Sequence, residues 1–271
     1  MFSHTSKKTS GQSTASVYLL FGCCACAVYN FVYDGGFSAV MTLSSAVQTL
    51  AFLLLCAKVY TQNTAAGVSA RTLQMYVAMY AFRLSSTMFF NGYLPMDQTG
   101  DWAYQASDIA GLVTVLWLLR TIRCGRLSWT YQWEHDTHPV APVVGACFVL
   151  AVLVHPTLNN WAPADIAWTT ALYIDAVALL PQLWMMTRIG GEVEALTAHF
   201  VAAVCVSRFL NLIFWYHGFP ELAPADGGFN SAGWAIILAH LLQLFLACDF
   251  LYYYAKSVAS GRLVLPVSVS V

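Results

Sequence analysis

The sequence predicts an all-α polytopic membrane protein: a seven-helix bundle of two parallel three-helix repeats and a linker helix, with one additional transmembrane helix at the amino terminus. Three observations carry this. First, the chain is 59% hydrophobic and 9% charged, against roughly 25% charged residues in a soluble domain, and its mean hydropathy is +0.62. Second, eight stretches approach the about 20 apolar residues that a spanning helix needs. Third, the cations fall at alternate ends of those stretches, as the positive-inside rule requires.

In chain order, residues 1–14 are polar, with Lys7 and Lys8, and read as a disordered tail. The spans are expected at 15–33, 38–60, 71–91, 103–123, 139–157, 163–187, 197–217 and 231–255, so the seven-helix domain covers 38–257 and a second tail covers 258–271. The segment 15–33 has two readings. Ala25-Cys26-Ala27 behind Lys7-Lys8 has the form of a cleaved signal peptide, while the apolar run continuing to Tyr33 has that of an uncleaved helix. Of the 12 Lys and Arg, Lys7, Lys8, Lys58, Arg71, Arg120, Arg123, Arg126, Arg188, Lys256 and Arg262 sit at one set of helix ends. The other loops carry Asp34, Asp97, Asp101, Glu221 and Asp226. Both termini are therefore expected in the cytosol, with the acidic loops facing a lumen.

Arg83 and Arg208 lie inside spans and reveal the repeat. Each follows a Gly-containing turn, by 16 residues from Gly67 and 17 from Gly191, and each is followed by aromatics. The repeats become 38–123 and 163–255, joined by 139–157. Parallel repeats of this kind place a site at their interface. At 1.5 Å per residue both arginines lie about 12–14 Å deep, and Asp175 lies near mid-membrane. Ionisable groups at such depth mark a site by default. Asp165, Trp168 and Asp175 share one helix face, and Arg208, Asn211 and Trp215 share another. A guanidinium fork suits a carboxylate held by two hydrogen bonds, so these residues are expected to line a luminal binding cavity. The alternative is that the arginines pair with Asp165 and Asp175 to hold helices together. Asp249, near the cytosolic end of the last span, is assigned to charge coupling. Pro181-Gln182 is expected to kink the sixth helix. Glu192 and Glu194 read as charges at a helix N-terminus, and His135 and Asp136 as solvated loop residues.

Other classes are excluded. A net charge of -1 gives no nucleic-acid footprint. The eight cysteines lack zinc spacing and read as small apolar side chains. No nucleophile with a base and no metal motif appears, so no catalytic residue, metal or cofactor is expected.

Several segments resemble one family, the ER lumen protein-retaining receptors. They are IAWTTALYIDAVALLPQLWMM (166–186), EALTAHF (194–200), CDFLYYYAKSV (248–258), EHDT (134–137), AGVS (66–69) and AFRLS (81–85), together with the lone Arg208. The resemblance spans about 38–266, and the extra first helix is similar to an extended receptor-related branch. It implies a SWEET/PQ-loop-like seven-helix fold that binds C-terminal KDEL/HDEL-type tetrapeptide signals of luminal proteins. It further implies cycling between Golgi and endoplasmic reticulum membranes through the COPI coat. On that resemblance Arg83 and Arg208 match pocket arginines, and Asp165 and Asp175 stand for glutamates. Trp168 and Trp215 match aromatic positions.

Departures accompany it. Met41 replaces an arginine, Gln48 a histidine tied to the pH response, Ser86 an aspartate, and Ser207 and Asn211 two tyrosines. The basic tail shrinks to Lys256 and Arg262. With His155 and His217 as the histidines near the lumen, both at helix ends, binding is expected to depend on pH much less than in the standard receptors. The function expected is retrieval and retention of luminal proteins. A small-solute transporter of the PQ-loop kind is the alternative; such proteins usually carry a Pro-Gln pair in both repeats, and here Val47 precedes Gln48.

Overall fold

The computed structural model describes residues 38–90, 101–159, 161–224, 227–259 and 265–267, with Leu19, Gly22 and Cys23. The expected first span, 15–33, lies almost wholly outside the described residues. The helices are α1 (Ser38–Gln62), α2 (Ala70–Thr87), α3 (Asp101–Arg123), α4 (Val140–Leu153), α5 (Ala162–Val177), α6 (Leu180–Ile189), α7 (Ala195–His217) and α8 (Ser231–Ala259). Each agrees with an expected span once α5 and α6 are taken as one. Their break has a covalent cause. Pro181 has no N–H to give, and its ring collides with the carbonyl of residue i−4, here Val177, where α5 ends. Leu179 O then accepts from Gln182 N and Leu183 N, each at 3.1 Å, and the chain turns on as α6.

Among the described residues, four helical stretches are long and apolar enough to cross a membrane: Ala39–Gln62, Ala162–Ile189, Ala195–His217 and Ser231–Ser257. The 14-residue α4 is equally apolar but shorter. α2 carries Arg71 and Arg83, and α3 carries Asp101, Asp108, Arg120 and Arg123, which lowers the hydropathy of both. Outward faces are apolar where lipid would touch them: Phe148, Val149 and Leu153 on α4, Leu238, Leu242 and Phe245 on α8.

α1 packs on α7 and α3, α2 on α5 and α3, α4 on α5, and α8 on α7 and α5. Buried Phe52 of α1 sets its ring against Tyr76 of α2 at 4.8 Å and Phe200 of α7 at 5.9 Å, joining three helices at one point. Sequence reading missed one small element. β1 (Gly191–Val193) pairs antiparallel with β2 (Leu265–Val267), tying the carboxy-terminal segment to the α6–α7 turn.

The described cations at helix ends gather at one end of the bundle, and a layer of buried polar side chains lies beneath them. Asp136, expected as solvated, is instead 3% exposed. Its carboxylate accepts from Ser69 Oγ at 2.7 Å, Arg71 N at 3.0 Å and Tyr131 Oη at 2.6 Å. The first turn of a helix has N–H groups without intrahelical partners, and a carboxylate there satisfies them and complements the helix dipole. Burial, and then the bond to Asp136, pushes the Tyr131 hydroxyl above its ordinary range, so it remains a donor. Ser69 Oγ caps the same turn, accepting from Thr72 N at 3.0 Å. Gln182 donates to Gly67 O at 2.8 Å and accepts from Ser69 N at 2.9 Å, fastening α6 to the α1–α2 turn. Gly67 there has φ +75°, a backbone region that glycine enters without penalty. Lys58 is buried as well. It donates to Ala66 O at 2.5 Å and Thr197 Oγ1 at 2.8 Å, and lies 3.4 Å from Glu194. Glu194, read as a bare terminal charge, also accepts from Gln62.

Candidate functional site

The two intramembrane arginines converge on one carboxylate. Arg83 Nη2 donates to Asp175 Oδ2 at 2.9 Å, and Arg208 Nη1 donates to the same oxygen. The other oxygen, Oδ1, accepts from Gln48 Nε2 at 3.4 Å. Arg83 Nη1 reaches Asp108 Oδ1 at 3.4 Å, and Ser45 Oγ donates to that oxygen at 2.9 Å. Four helices thus supply two cations and two anions to one cluster, and α1 supplies Gln48 and Ser45. Arg208 is 0% exposed and Asp175 2%. Unpaired charges would be prohibitively costly at such burial, and a neutral set with hydrogen bonds is the form in which they persist.

Helical register explains the convergence. Tyr76, Tyr80 and Arg83 sit at i, i+4 and i+7, on one face of α2, and all three are buried. The Tyr76 hydroxyl comes near the Arg208 guanidinium, and Tyr104 of α3 comes near Arg83. Tyr80 lies over Gly111 of α3. A Cβ at Gly111 would stand 2.3 Å from the Tyr80 oxygen, so only glycine permits this approach. On α1, Ser44 Oγ donates to Ser207 O at 2.8 Å, holding α1 to α7 beside Arg208.

The expected site residues divide into groups. Arg83, Arg208 and Asp175 meet directly. Trp168 of α5 and Trp215 of α7 meet as a T-shaped pair with ring centroids 5.2 Å apart, both buried. Asn211 lies one turn from Arg208 on α7, buried, and its Oδ1 has no hydrogen-bond partner among the described residues. Asp165 is buried at the first turn of α5, where it accepts from the backbone N–H of Leu158 at 3.2 Å and of Asn159 at 3.5 Å. Asp249 is exposed on α8. The ion pairs of the structural alternative are therefore present at Asp175, whereas Asp165 braces the turn before α5. Among the described residues, Arg208 Nε and Nη2 have no hydrogen-bond partner.

Sequence reasoning gave Asp108 no site role and missed the tyrosines and, on α8, His240 and Gln243. The expectation that His155 and His217 are the histidines on this side is corrected: His240 is buried, and both arginines act electrostatically on it. The signals were available. Tyr76 and Tyr80 share the helical phase of Arg83, and His240 and Gln243 interrupt the apolar run ILAHLLQLF at a spacing of three.

Comparison with known proteins fixes the family. The profile described as "ER lumen protein retaining receptor" matches residues 64–217. The chain belongs to that family. It is 28% identical over 218 residues to the ER lumen protein-retaining receptor of Dictyostelium discoideum, covering 79% of this chain and 92% of that one. It is 29% identical over 206 residues to receptor A of Arabidopsis thaliana, covering 76% and 87%. It is 27% identical over 212 residues to receptor 2 of Homo sapiens, covering 78% and 91%. The matched residues 64–217 include Arg83, Asp108, Asp175 and Arg208.

Proposed function

We propose that this protein is a receptor for C-terminal retention signals of the KDEL/HDEL type carried by luminal proteins of the endoplasmic reticulum. Its role is retrieval from Golgi to endoplasmic reticulum. The observation that carries the reading is the pair of buried guanidiniums from α2 and α7 meeting at one point in a member of this receptor family. A terminal carboxylate is the ligand such an arrangement selects. Asp175 holds the arginines as a resident counter-ion, and Arg208 Nε and Nη2 offer the parallel pair of donors that a carboxylate takes bidentately. Asn211, Trp168 and Trp215 flank the ligand, and Asp165 fixes the entrance of α5.

Two further parts belong to the proposal. The bundle consists of two related three-helix units, α1–α3 and α5–α8, with both termini cytosolic and the acidic loops luminal. The packing supports it: the first helix of each unit lies on the second helix of the other, α1 on α7 and α5 on α2, and the two second helices bring Arg208 and Arg83. The chain resides in the endoplasmic reticulum or Golgi membrane, and the COPI contact belongs to the segment after α8. No observation favours the small-solute transporter.

Peptide binding to the full-length protein in detergent tests this. A peptide ending in HDEL with a free carboxylate should bind, and the C-terminal amide should bind at least ten-fold more weakly. Arg208→Lys keeps the charge but loses the fork, and should weaken the free acid about ten-fold while leaving the amide little changed. Equal affinity for acid and amide would sink the carboxylate clamp.

A further inference from the structure

The inward face of α8 runs Ile236, His240, Gln243 and Ala247, at helical spacings of four, three and four. Ile236 and Ala247 bury apolar surface. His240, 2% exposed, and Gln243, 4% exposed, bury polar surface. Neither nitrogen of the imidazole and neither atom of the carboxamide has a hydrogen-bond partner among the described residues. A buried polar atom without a partner carries its full desolvation cost, and leucine or methionine at these places would avoid it. Packing therefore gives no reason for either residue.

Their position supplies one. The Arg208 and Arg83 guanidiniums are near enough to act electrostatically on the His240 imidazole. α8 packs on both α7 and α5, the helices that bring Arg208 and Asp175. Asn211 Oδ1 and Arg208 Nε and Nη2 also have no hydrogen-bond partner among the described residues. The chemistry of the α8 pair differs from that of the arginines. An imidazole and a carboxamide each present a donor and an acceptor. The group that satisfies such a pair is one that both gives and accepts, which is a peptide amide rather than a carboxylate. The rise from His240 to Gln243 is about 4.5 Å, close to the roughly 3.3–3.6 Å per residue of an extended chain. Two successive peptide groups of one strand can therefore meet both side chains.

We propose that His240 and Gln243 form a ligand subsite on α8 that hydrogen-bonds backbone amides of the peptide whose terminal carboxylate is held at Arg208. This rests on the receptor reading and deepens it, because it defines the ligand as an extended peptide and not a small carboxylate. His240 and Gln243 then set specificity for the main chain, while the arginines set specificity for the end.

The test uses full-length protein in detergent and synthetic peptides ending in HDEL, either all-amide or with one backbone amide at a time replaced by an ester. His240→Leu and Gln243→Met keep approximate size and remove the polar atoms. Each should weaken the all-amide peptide 5- to 20-fold. One ester peptide should bind wild type correspondingly weakly, and in the matching variant that ester should cost less than 2-fold more. Melting temperatures of the variants should equal or exceed that of wild type, since an unpaired buried polar group has been removed. Variants that bind as tightly as wild type would overturn the subsite and leave the receptor reading intact. Weaker binding with a lowered melting temperature and unchanged ester sensitivity would make the pair structural. Wild type binding none of these peptides would overturn the receptor reading itself, and the subsite with it.

Discussion

Asp136, Gln182 and Lys58 at the basic end of the bundle close their hydrogen bonds on the protein's own backbone and side chains. Around Arg83 and Arg208, by contrast, Asp108 Oδ2, Asn211 Oδ1, both His240 nitrogens and both Gln243 amide atoms close none among the described residues. The two layers are alike in burial and composition, each mixing charged and amide side chains within an apolar bundle. They differ in degree of satisfaction: at the basic end Thr72 Oγ1 alone lacks a partner among the described residues. A fully bonded polar network specifies one arrangement of its helices, while an incompletely bonded one carries a standing cost. The first fixes the turns that start α2 and α6; on the proposed reading the second holds groups ready for an incoming partner.

Removing the shared counter-ion should be the most damaging change. Asp175→Asn leaves Arg83 with Asp108 alone and Arg208 without a carboxylate, in a place where Arg208 is wholly buried. Breaking a buried pair from one side costs about 3–5 kcal/mol, and a thermal melt in detergent should show that loss. A shift of only a degree or two would mean that the cluster is solvated or rearranges freely, and the contrast between the layers would fail.

The corresponding change at the basic end is Asp136→Asn, with a smaller expected effect. The amide oxygen, in the place of Oδ2, can keep two of the three bonds, and Ser69 still caps the turn through Thr72 N. The loss should be about 1–3 kcal/mol, the range for leaving a buried partner unsatisfied. Peptide binding should be unaltered once the protein is folded. A binding defect without a stability defect would place Asp136 in the functional layer.

The sequence makes one layer legible and hides the other. Arginine inside an apolar run is conspicuous because lipid makes it costly, so Arg83, Arg208 and Asp175 stand out from hydropathy alone. Helix existence follows from run length, and the α5–α6 break from Pro181. Asp136 looks like any acidic residue of a polar loop. Its burial depends on the α3–α4 connection folding back over the start of α2, a tertiary event with no local pattern. His240 and Gln243 interrupt the apolar run but carry no fixed charge to mark them as a site, and only the phase of α8 shows that they point inward. The β1–β2 ribbon joins residues about 75 apart in sequence, and nothing in the strands' three-residue lengths announces it. Asp165 was legible as a buried acid but not as a brace, because its partners are backbone N–H groups, and these carry no residue-type signature.

The smallest predicted effect tests whether the two layers communicate. Gln48 Nε2 donates to Asp175 at 3.4 Å, a long bond to a carboxylate already held by two guanidiniums, so Gln48→Leu should cost about 1 kcal/mol or less. Gln182→Leu removes two bonds at the α1–α2 turn and should cost more, about 1–3 kcal/mol. Asp175 and Gln182 lie on opposite sides of the α5–α6 break, seven residues and roughly 10 Å apart along the axis, and share no partner. A continuous helix would transmit a shift at one to the other; a helix interrupted at Pro181 has lost the hydrogen bonds that would carry it. The double variant should therefore be additive to within about 0.5 kcal/mol in a melting or denaturant series. A coupling well above that would show that the charge cluster and the basic end move together, with the break at Pro181 serving as a hinge between them.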